Sequence, residues 1–178
     1  MDDEEGPAES ATGQLVAIRD VHRVFDAARL DYWLFGGWAV DFYVGRVTRP
    51  HGDIDIAVWH SDFDRIAALL AQEGWVHVPS PEDDGGTGFV RGDVRLEPTF
   101  LVRGDDGLVC ILLNEGTVPW DQGGFGAEVR QLEGVTARIM GLEQLTVGKS
   151  VPRENSEDAV KDRLDFKRLS RLDVPDVL

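Results

Sequence analysis

Hydrophobic positions recur along the chain with two periods, and these periods predict its secondary structure. From Leu15 to Phe25 the apolar residues recur at helical spacing, which predicts an amphipathic helix. A similar helix is predicted over residues 61–73. Two more helices are predicted at residues 141–150 and at about residues 154–172.

Short apolar or alternating runs between these helices predict β-strands. The run YWLF at residues 32–35 precedes a short helix at residues 38–44, and the run DIDIAVW follows it at residues 53–59. Glycine-rich turns separate the other predicted strands, which are residues 75–78, 88–91, 93–102, 108–113, 128–132 and 135–139. We therefore predict an α+β fold in which helices pack mainly on one side of a mixed β-sheet.

Composition predicts one folded domain behind a short tail. Residues 1–12 are acidic and are expected to be flexible, and residues 13–178 are expected to form a single domain. No long apolar run and no basic leader opens the chain, which predicts a cytoplasmic protein without membrane contact. The single cysteine, Cys110, lies in the run LVCILL and is expected to be a buried thiol.

Two acids in the DIDIAVW run are candidates for a metal site. Asp53 and Asp55 stand two apart on a strand, so their side chains point to the same face. Mg²⁺ is usually held by one or two carboxylates together with substrate phosphates. Two such ions, about 4 Å apart, can clamp the attacking and leaving oxygens of a displacement at phosphorus. The alternative is that both acids only line a solvated strand face.

Two glycines before the predicted short helix are candidates for phosphate binding. Gly36 and Gly37 follow a strand and open that helix. Glycine lets the backbone approach a ligand closely, and a helix N-terminus directs free N–H groups and a positive dipole end toward an anion. An ordinary tight turn is the alternative. A phosphate site this close to paired carboxylates predicts a nucleotidyltransferase active site.

Three motifs in this region carry a family resemblance. GGWAVD at residues 36–41, GRVTR at residues 45–49 and HGDID at residues 51–55 closely resemble the signature of the small antibiotic nucleotidyltransferases. That family adenylylates aminoglycosides and lincosamides and belongs to the DNA polymerase β-like superfamily. The resemblance is dense over residues 32–58 and looser from there to about residue 172. It implies the nucleotidyltransferase fold, metal ligands at Asp53 and Asp55, and phosphate contacts at Gly36 and Gly37.

The superfamily pattern also implies a third carboxylate on an adjacent strand. The candidate strand is GDVRLEPTFLV, in which Asp93, Arg95 and Glu97 share one face. We predict Glu97 as the third acid, acting as a metal ligand or as a base, with Asp93 in reserve. If the pattern's acid falls at Arg95, the chain departs from the family, because an arginine cannot bind Mg²⁺.

Three cations are candidates for binding the nucleotide. Arg46 and Arg49 can contact phosphate oxygens or, alternatively, pair with Asp41 or nearby acids. Lys149 can contact the triphosphate or simply favour the C-terminal end of its helix. Asp41 is expected to be structural, and His51 is expected to shape the turn into the strand.

The resemblance implies transfer of AMP from ATP to a hydroxyl of an aminoglycoside or lincosamide, with Mg²⁺ as cofactor and pyrophosphate as product. A net charge of −15, or −10 after the first ten residues, disfavours nucleic acid and suits a cationic acceptor. Residues 116–125, which include Pro119, Trp120 and Phe125, are expected to form an apolar acceptor wall or to join the core. Two alternatives remain, namely modification of a protein hydroxyl, as antitoxin nucleotidyltransferases do, and a catalytically degenerate nucleotide-binding module.

Overall fold

A mixed β-sheet with flanking helices forms the protein, for which a computed structural model describes residues 7–172. The α-helices of this range are α1 Pro7–Ala27, α2 Gly36–Val44, α3 Phe63–Gln72, α4 Leu142–Ser150 and α5 Ser156–Ser170. The strands are β1 Tyr32–Phe35, β2 Ile54–Trp59, β3 Val76–His77, β4 Phe89–Arg91, β5 Val94–Arg103, β6 Val109–Leu113, β7 Gly116–Pro119, β8 Val129–Leu132 and β9 Val135–Arg138. These elements confirm the predicted α+β class.

The larger sheet has seven strands, and β2 and β5 lie at its centre. Its order is β1-β2-β5-β4-β3, and β6 pairs with the far half of β5 and then with β7. β2 and β5 are parallel, whereas all other neighbours in this sheet are antiparallel. β8 and β9 form a separate two-stranded ribbon. The parallel pair at the centre brings together the two strands that carry the predicted carboxylates.

One hydrophobic cluster joins the helices to the sheet. Its largest fully buried side chains are Trp38, Phe25, Phe42, Phe89, Leu34, Ile54, Ile56, Ile66, Leu70, Leu96, Leu101 and Leu132. Ile54 and Ile56 alternate with Asp55 along β2, so that strand buries one face and presents acids on the other. Cys110 is buried, as predicted. Within residues 7–172 no helix combines the length and the apolar character that crossing a membrane requires.

Two predicted segments differ from the structure. α1 begins at Pro7, so residues 7–12 of the predicted tail are helical, and residues 1–6 lie outside the described range. Proline fits the first helical turn because the N–H it lacks has no partner there, and Ala11 already packs against the core. The segment 116–125 was predicted without a strand, but β7 forms there because Gly116 takes a φ of 96° and reverses the chain after β6.

Candidate active site

The glycine turn, formed by Gly36 and Gly37 at the start of α2, lies directly beside Asp55. Phe35, the last residue of β1, pairs with Asp55 across the antiparallel β1–β2 ladder, and Gly36 follows with a φ of 69°. A Cβ at position 36 would overlap Oδ2 of Asp55. A Cβ at position 37 would overlap the guanidinium of Arg49 and would lie 2.6 Å from Nδ1 of His51. Close approach of neighbouring side chains therefore requires glycine at both positions.

Three carboxylates meet at the same edge of the sheet. Asp53 immediately precedes β2, and the parallel β2–β5 register places Asp55 opposite Glu97. Each of the three offers a carboxylate oxygen, and these oxygens lie within 4.8 Å of one another. Asp93, the reserve candidate, is exposed in the turn between β4 and β5 and does not belong to this group. The structure thus brings Glu97, and not Asp93, to the two aspartates.

The environment of the two aspartates disfavours their ionised forms. Burial, followed by the charges of Asp53 and Glu97, raises the pKa of Asp55 to about 7. Burial and the proximity of Glu97 also raise the pKa of Asp53, although the guanidinium of Arg95 opposes this effect. Hard divalent cations bind such carboxylate groups and relieve their mutual repulsion. The donor set therefore fits a divalent metal ion.

Arg95 lies against this acidic cluster. Its Nε donates a hydrogen bond to Oε1 of Glu97 at 2.5 Å, and the two residues stand two apart on β5. The sequence left open whether Arg95 replaces an acid at this face. The structure shows that an arginine and a glutamate occupy the face together and form an ion pair.

Two buried acids of α5 hold a group of cations beside the acidic cluster. Nζ of Lys149 lies 2.9 Å from Oδ1 of Asp162 and 3.1 Å from Oδ2 of Asp165. Arg49 donates to Oδ2 of Asp165 at 3.1 Å, and Nε of Arg153 lies 2.7 Å from Oδ2 of Asp162. Burial alone would raise the pKa of Asp165, but the hydrogen bond from Arg49 and the charge of Lys149 outweigh it and lower that pKa.

The structure places only one of the two candidate arginines at the cavity described below. Arg49 borders this cavity and forms an ion pair with Asp165 of α5. This contact agrees with the alternative that the arginine pairs with an acid, although the acid is distant in sequence. Its Nε is buried and has no hydrogen-bond partner within residues 7–172. Arg46 is exposed and does not border the cavity. Arg46 directly follows Gly45, the left-handed residue that ends α2.

The scaffold beneath the glycine turn contains a buried polar network. Asp41 is completely buried, and its two oxygens contact Oγ1 of Thr48 at 2.5 Å and Nε2 of His51 at 2.6 Å. The ring of His51 packs against Trp38, with centroids 4.5 Å apart. These contacts tie α2 to the segment that enters β2, in agreement with the structural role predicted for Asp41.

The glycine turn, the acidic cluster and the cations Arg49, Lys149 and Arg153 border one cavity of about 700 Å³. Its lining includes Gly36, Gly37, Arg49, Asp53, Asp55, Glu97, Lys149, Arg153 and Asp162. Apolar side chains, namely Phe35, Ile111, Trp120, Met140 and Leu145, line another part of its wall. Of the predicted acceptor segment, Trp120 borders the cavity. Phe125 instead packs edge-on against Trp33, with centroids 5.1 Å apart.

The contribution of α5 did not emerge from the sequence. Asp162 and Asp165 stand three apart, and Leu169 follows one turn later on the same face, so a signal was present in the helical spacing. Acids on a terminal helix usually indicate a solvated face. Only the tertiary structure shows that this face is buried against Lys149 and Arg49.

Sequence comparisons identify a family and individual proteins that this chain resembles. The sequence model of the aminoglycoside-2''-adenylyltransferase family matches residues 17–169. A 2''-aminoglycoside nucleotidyltransferase of Klebsiella pneumoniae is 44% identical over 45 residues, which are 25% of this chain and 25% of that protein. A lincosamide resistance protein of Staphylococcus haemolyticus is 46% identical over 41 residues, 23% of this chain and 22% of that protein. The aligned segments thus span about a quarter of these curated relatives.

Structural comparisons extend the similarity over most of the chain. The lincosamide antibiotic adenylyltransferase LnuA, in its lincomycin-bound form, matches with a TM-score of 0.65 at 20% identity, over 84% of this chain and 92% of LnuA. ANT(2'')-Ia in complex with adenylyl-2''-tobramycin matches with a TM-score of 0.65 at 22% identity, over 90% of this chain and 94% of that one. These similarities establish the nucleotidyltransferase fold. Because the family's sequence model spans most of the chain, the protein belongs to the aminoglycoside-2''-adenylyltransferase family.

Proposed function

We propose that this protein transfers AMP from ATP to a hydroxyl group of an aminoglycoside or lincosamide antibiotic, in a Mg²⁺-dependent reaction that releases pyrophosphate. The main support for this proposal is that three carboxylates, a glycine turn and a group of cations border the same cavity. Carboxylates suit a divalent metal, whereas glycine N–H groups and cations suit phosphates. A nucleotide triphosphate with its metal requires both kinds of group side by side.

Asp53, Asp55 and Glu97 would hold the metal when the nucleotide is bound. When bound, a divalent cation neutralises charge on the phosphates and draws the acceptor oxygen and the α-phosphorus together. The donor set contains only carboxylate oxygens, which matches the preference of Mg²⁺. Asp55, with a pKa near 7, must lose its proton for metal to bind, so metal affinity is expected to rise with pH through that value.

The chain's other groups would bind and orient the nucleotide. Gly36 and Gly37 at the start of α2 offer backbone N–H groups to the phosphates. Arg49 and Lys149 supply positive charge, and the unpaired buried Nε of Arg49 supplies a further donor. The acceptor oxygen then forms a bond to the α-phosphorus while the bond to the bridging oxygen breaks. Pyrophosphate leaves with that oxygen, and a carboxylate of the cluster accepts the hydroxyl proton.

The rest of the cavity suits an amphipathic or cationic acceptor. Trp120 and Met140 provide an apolar wall on which a sugar ring or an alkyl chain can pack. The net charge of −15 attracts polycationic aminoglycosides through long-range steering. Aminoglycosides are therefore the first acceptor class to test, and lincosamides are the second.

The test is an assay for AMP transfer with isotope-labelled ATP and Mg²⁺. Aminoglycosides and lincosamides serve as acceptors, and mass spectrometry detects the added AMP. Asp53→Asn should abolish the product, whereas Asp93→Asn, a matched change outside the acidic cluster, should retain it. Undiminished turnover by the Asp53 variant would contradict the metal assignment.

The same assay separates the two alternatives. If nucleotide binds but no antibiotic is modified, labelling of a partner protein would indicate a protein hydroxyl as acceptor. The ion pair between Arg95 and Glu97 is the observation that favours a degenerate module, because it engages one of the three carboxylates. Absence of metal-dependent ATP binding would support that module.

A further inference from the structure

A positive charge of the chain itself lies against the acidic cluster. Arg95 and Glu97 lie on the same side of β5, and Nε of Arg95 is 2.5 Å from Oε1 of Glu97. The fold leaves room for this guanidinium, because a Cβ at position 88 would lie 2.9 Å from its Nη2. Gly88 thus permits the arginine to lie across the end of the short strand β4.

The ion pair changes the charge that the cluster offers to a cation. Asp53, Asp55 and Glu97 in their ionised forms carry three negative charges, and Arg95 reduces the net charge to two. Two negative charges neutralise the charge of a single divalent ion. A second ion would require either release of Glu97 by the arginine or additional negative charge from the nucleotide.

We propose that Arg95 withholds Glu97 from metal, so that the protein without nucleotide takes a single divalent ion, held by Asp53 and Asp55, and that Arg95 sets the affinity for this ion. This inference rests on the proposed metal-dependent function. It identifies Arg95 as a positioning residue, since the guanidinium acts through Glu97 and through its charge. The phosphates of ATP would supply the negative charge that a second ion requires.

The expected effect of removing the arginine is moderate. The side chains of Arg95 and Glu97 are 43% and 35% exposed, so water screens their interaction. A unit charge next to a divalent ion still repels it, and losing that charge frees a carboxylate as a ligand. Arg95→Gln is therefore expected to strengthen Mn²⁺ binding by about tenfold. Arg95→Lys keeps the charge and should bind Mn²⁺ within about threefold of the wild type.

The test is a titration with Mn²⁺ followed by electron paramagnetic resonance, which counts free and bound ions without reference to turnover. The variants form a double-mutant cycle of Arg95→Gln, Glu97→Gln and the two changes together. Glu97→Gln alone should weaken Mn²⁺ binding, because it removes a negative charge and leaves the guanidinium of Arg95 unpaired beside the ion. When Glu97→Gln is combined with Arg95→Gln, the double variant should lose most of the tenfold gain in Mn²⁺ affinity that Arg95→Gln produces alone.

The possible outcomes of the titration distinguish the role of Arg95 from the proposed function. Unchanged Mn²⁺ affinity in Arg95→Gln, or two ions bound to the wild type without nucleotide, would overturn the role of Arg95 and leave the proposed function standing. No Mn²⁺ binding by the wild type, even with a non-hydrolysable ATP analogue, would overturn both proposals. Loss of binding in Asp55→Asn together with the expected cycle would support both.

Discussion

Replacement of Asp55 by asparagine is expected to stabilise the metal-free protein at alkaline pH. Asp55 borders the cavity beside two further acids, and burial together with the charges of Asp53 and Glu97 raises its pKa from 3.8 to about 7. Asparagine has nearly the same shape and carries no charge at any pH. The substitution therefore removes an unfavourable buried charge while preserving the packing between β1 and β2.

The magnitude follows from the linkage between proton binding and folding. Between pH 4 and pH 7 the folded protein holds a proton on Asp55 that the unfolded chain has lost, so the free energy of unfolding falls as pH rises through this window. Each pH unit across the window corresponds to about 1.4 kcal/mol. Above about pH 7 ionised Asp55 thus lowers the stability of the wild type by about 4 kcal/mol.

The assay is equilibrium urea unfolding with a chelator present, at about pH 5 and at about pH 8. Asp55→Asn should match the wild type within about 1 kcal/mol at the lower pH and exceed it by several kcal/mol at the higher pH. Asp105→Asn, a change of an exposed turn acid, is the matched control and should show no such difference. Equal stability differences at both pH values would refute the reasoning. Saturating Mg²⁺ should narrow the gap, because metal stabilises only the wild type.

Three further substitutions test the remaining parts of the site. Asp165→Asn leaves buried cations unpaired, so it should lower the free energy of unfolding by about 3 kcal/mol and weaken binding of an ATP analogue in calorimetry. Glu157→Gln, on the exposed face of α5, is the control and should change neither quantity. Gly37→Ala should abolish analogue binding because its methyl group would displace Arg49, and Gly126→Ala, where the added carbon meets open space, is its control. Trp120→Ala should raise the KM for the acceptor and leave the KM for ATP unchanged, and an equal rise in both values would contradict its place in the acceptor wall.

Local chemistry explains which parts of the site could be predicted from the sequence. Asp53 immediately precedes β2 and Asp55 lies within it, and the two glycines open α2, so each pair is defined by a spacing of at most two residues. The choice of Glu97 over Asp93 required the register between β2 and β5, which no local pattern encodes.

Long-range packing explains what could not be predicted. Asp165 lies 116 residues after Arg49, and nothing near either residue in the sequence indicates that they meet. The inclusion of Arg46 among the phosphate contacts was an inference from residue type alone, and the structure leaves that side chain exposed. The strand β7 was missed because a run of glycine, threonine, valine and proline is short and only weakly typical of a strand.

The dependence of Lys149 and Arg49 on α5 has a consequence for the order in which the protein matures. A ribosome makes the chain from its N-terminus, so the glycine turn and all three clustered carboxylates emerge well before residues 156–170. Until α5 has emerged and docked, the two cations lack the carboxylates that hold them in place. We therefore expect the acidic half of the site to assemble before the basic half during synthesis, with α5 completing the basic wall of the cavity.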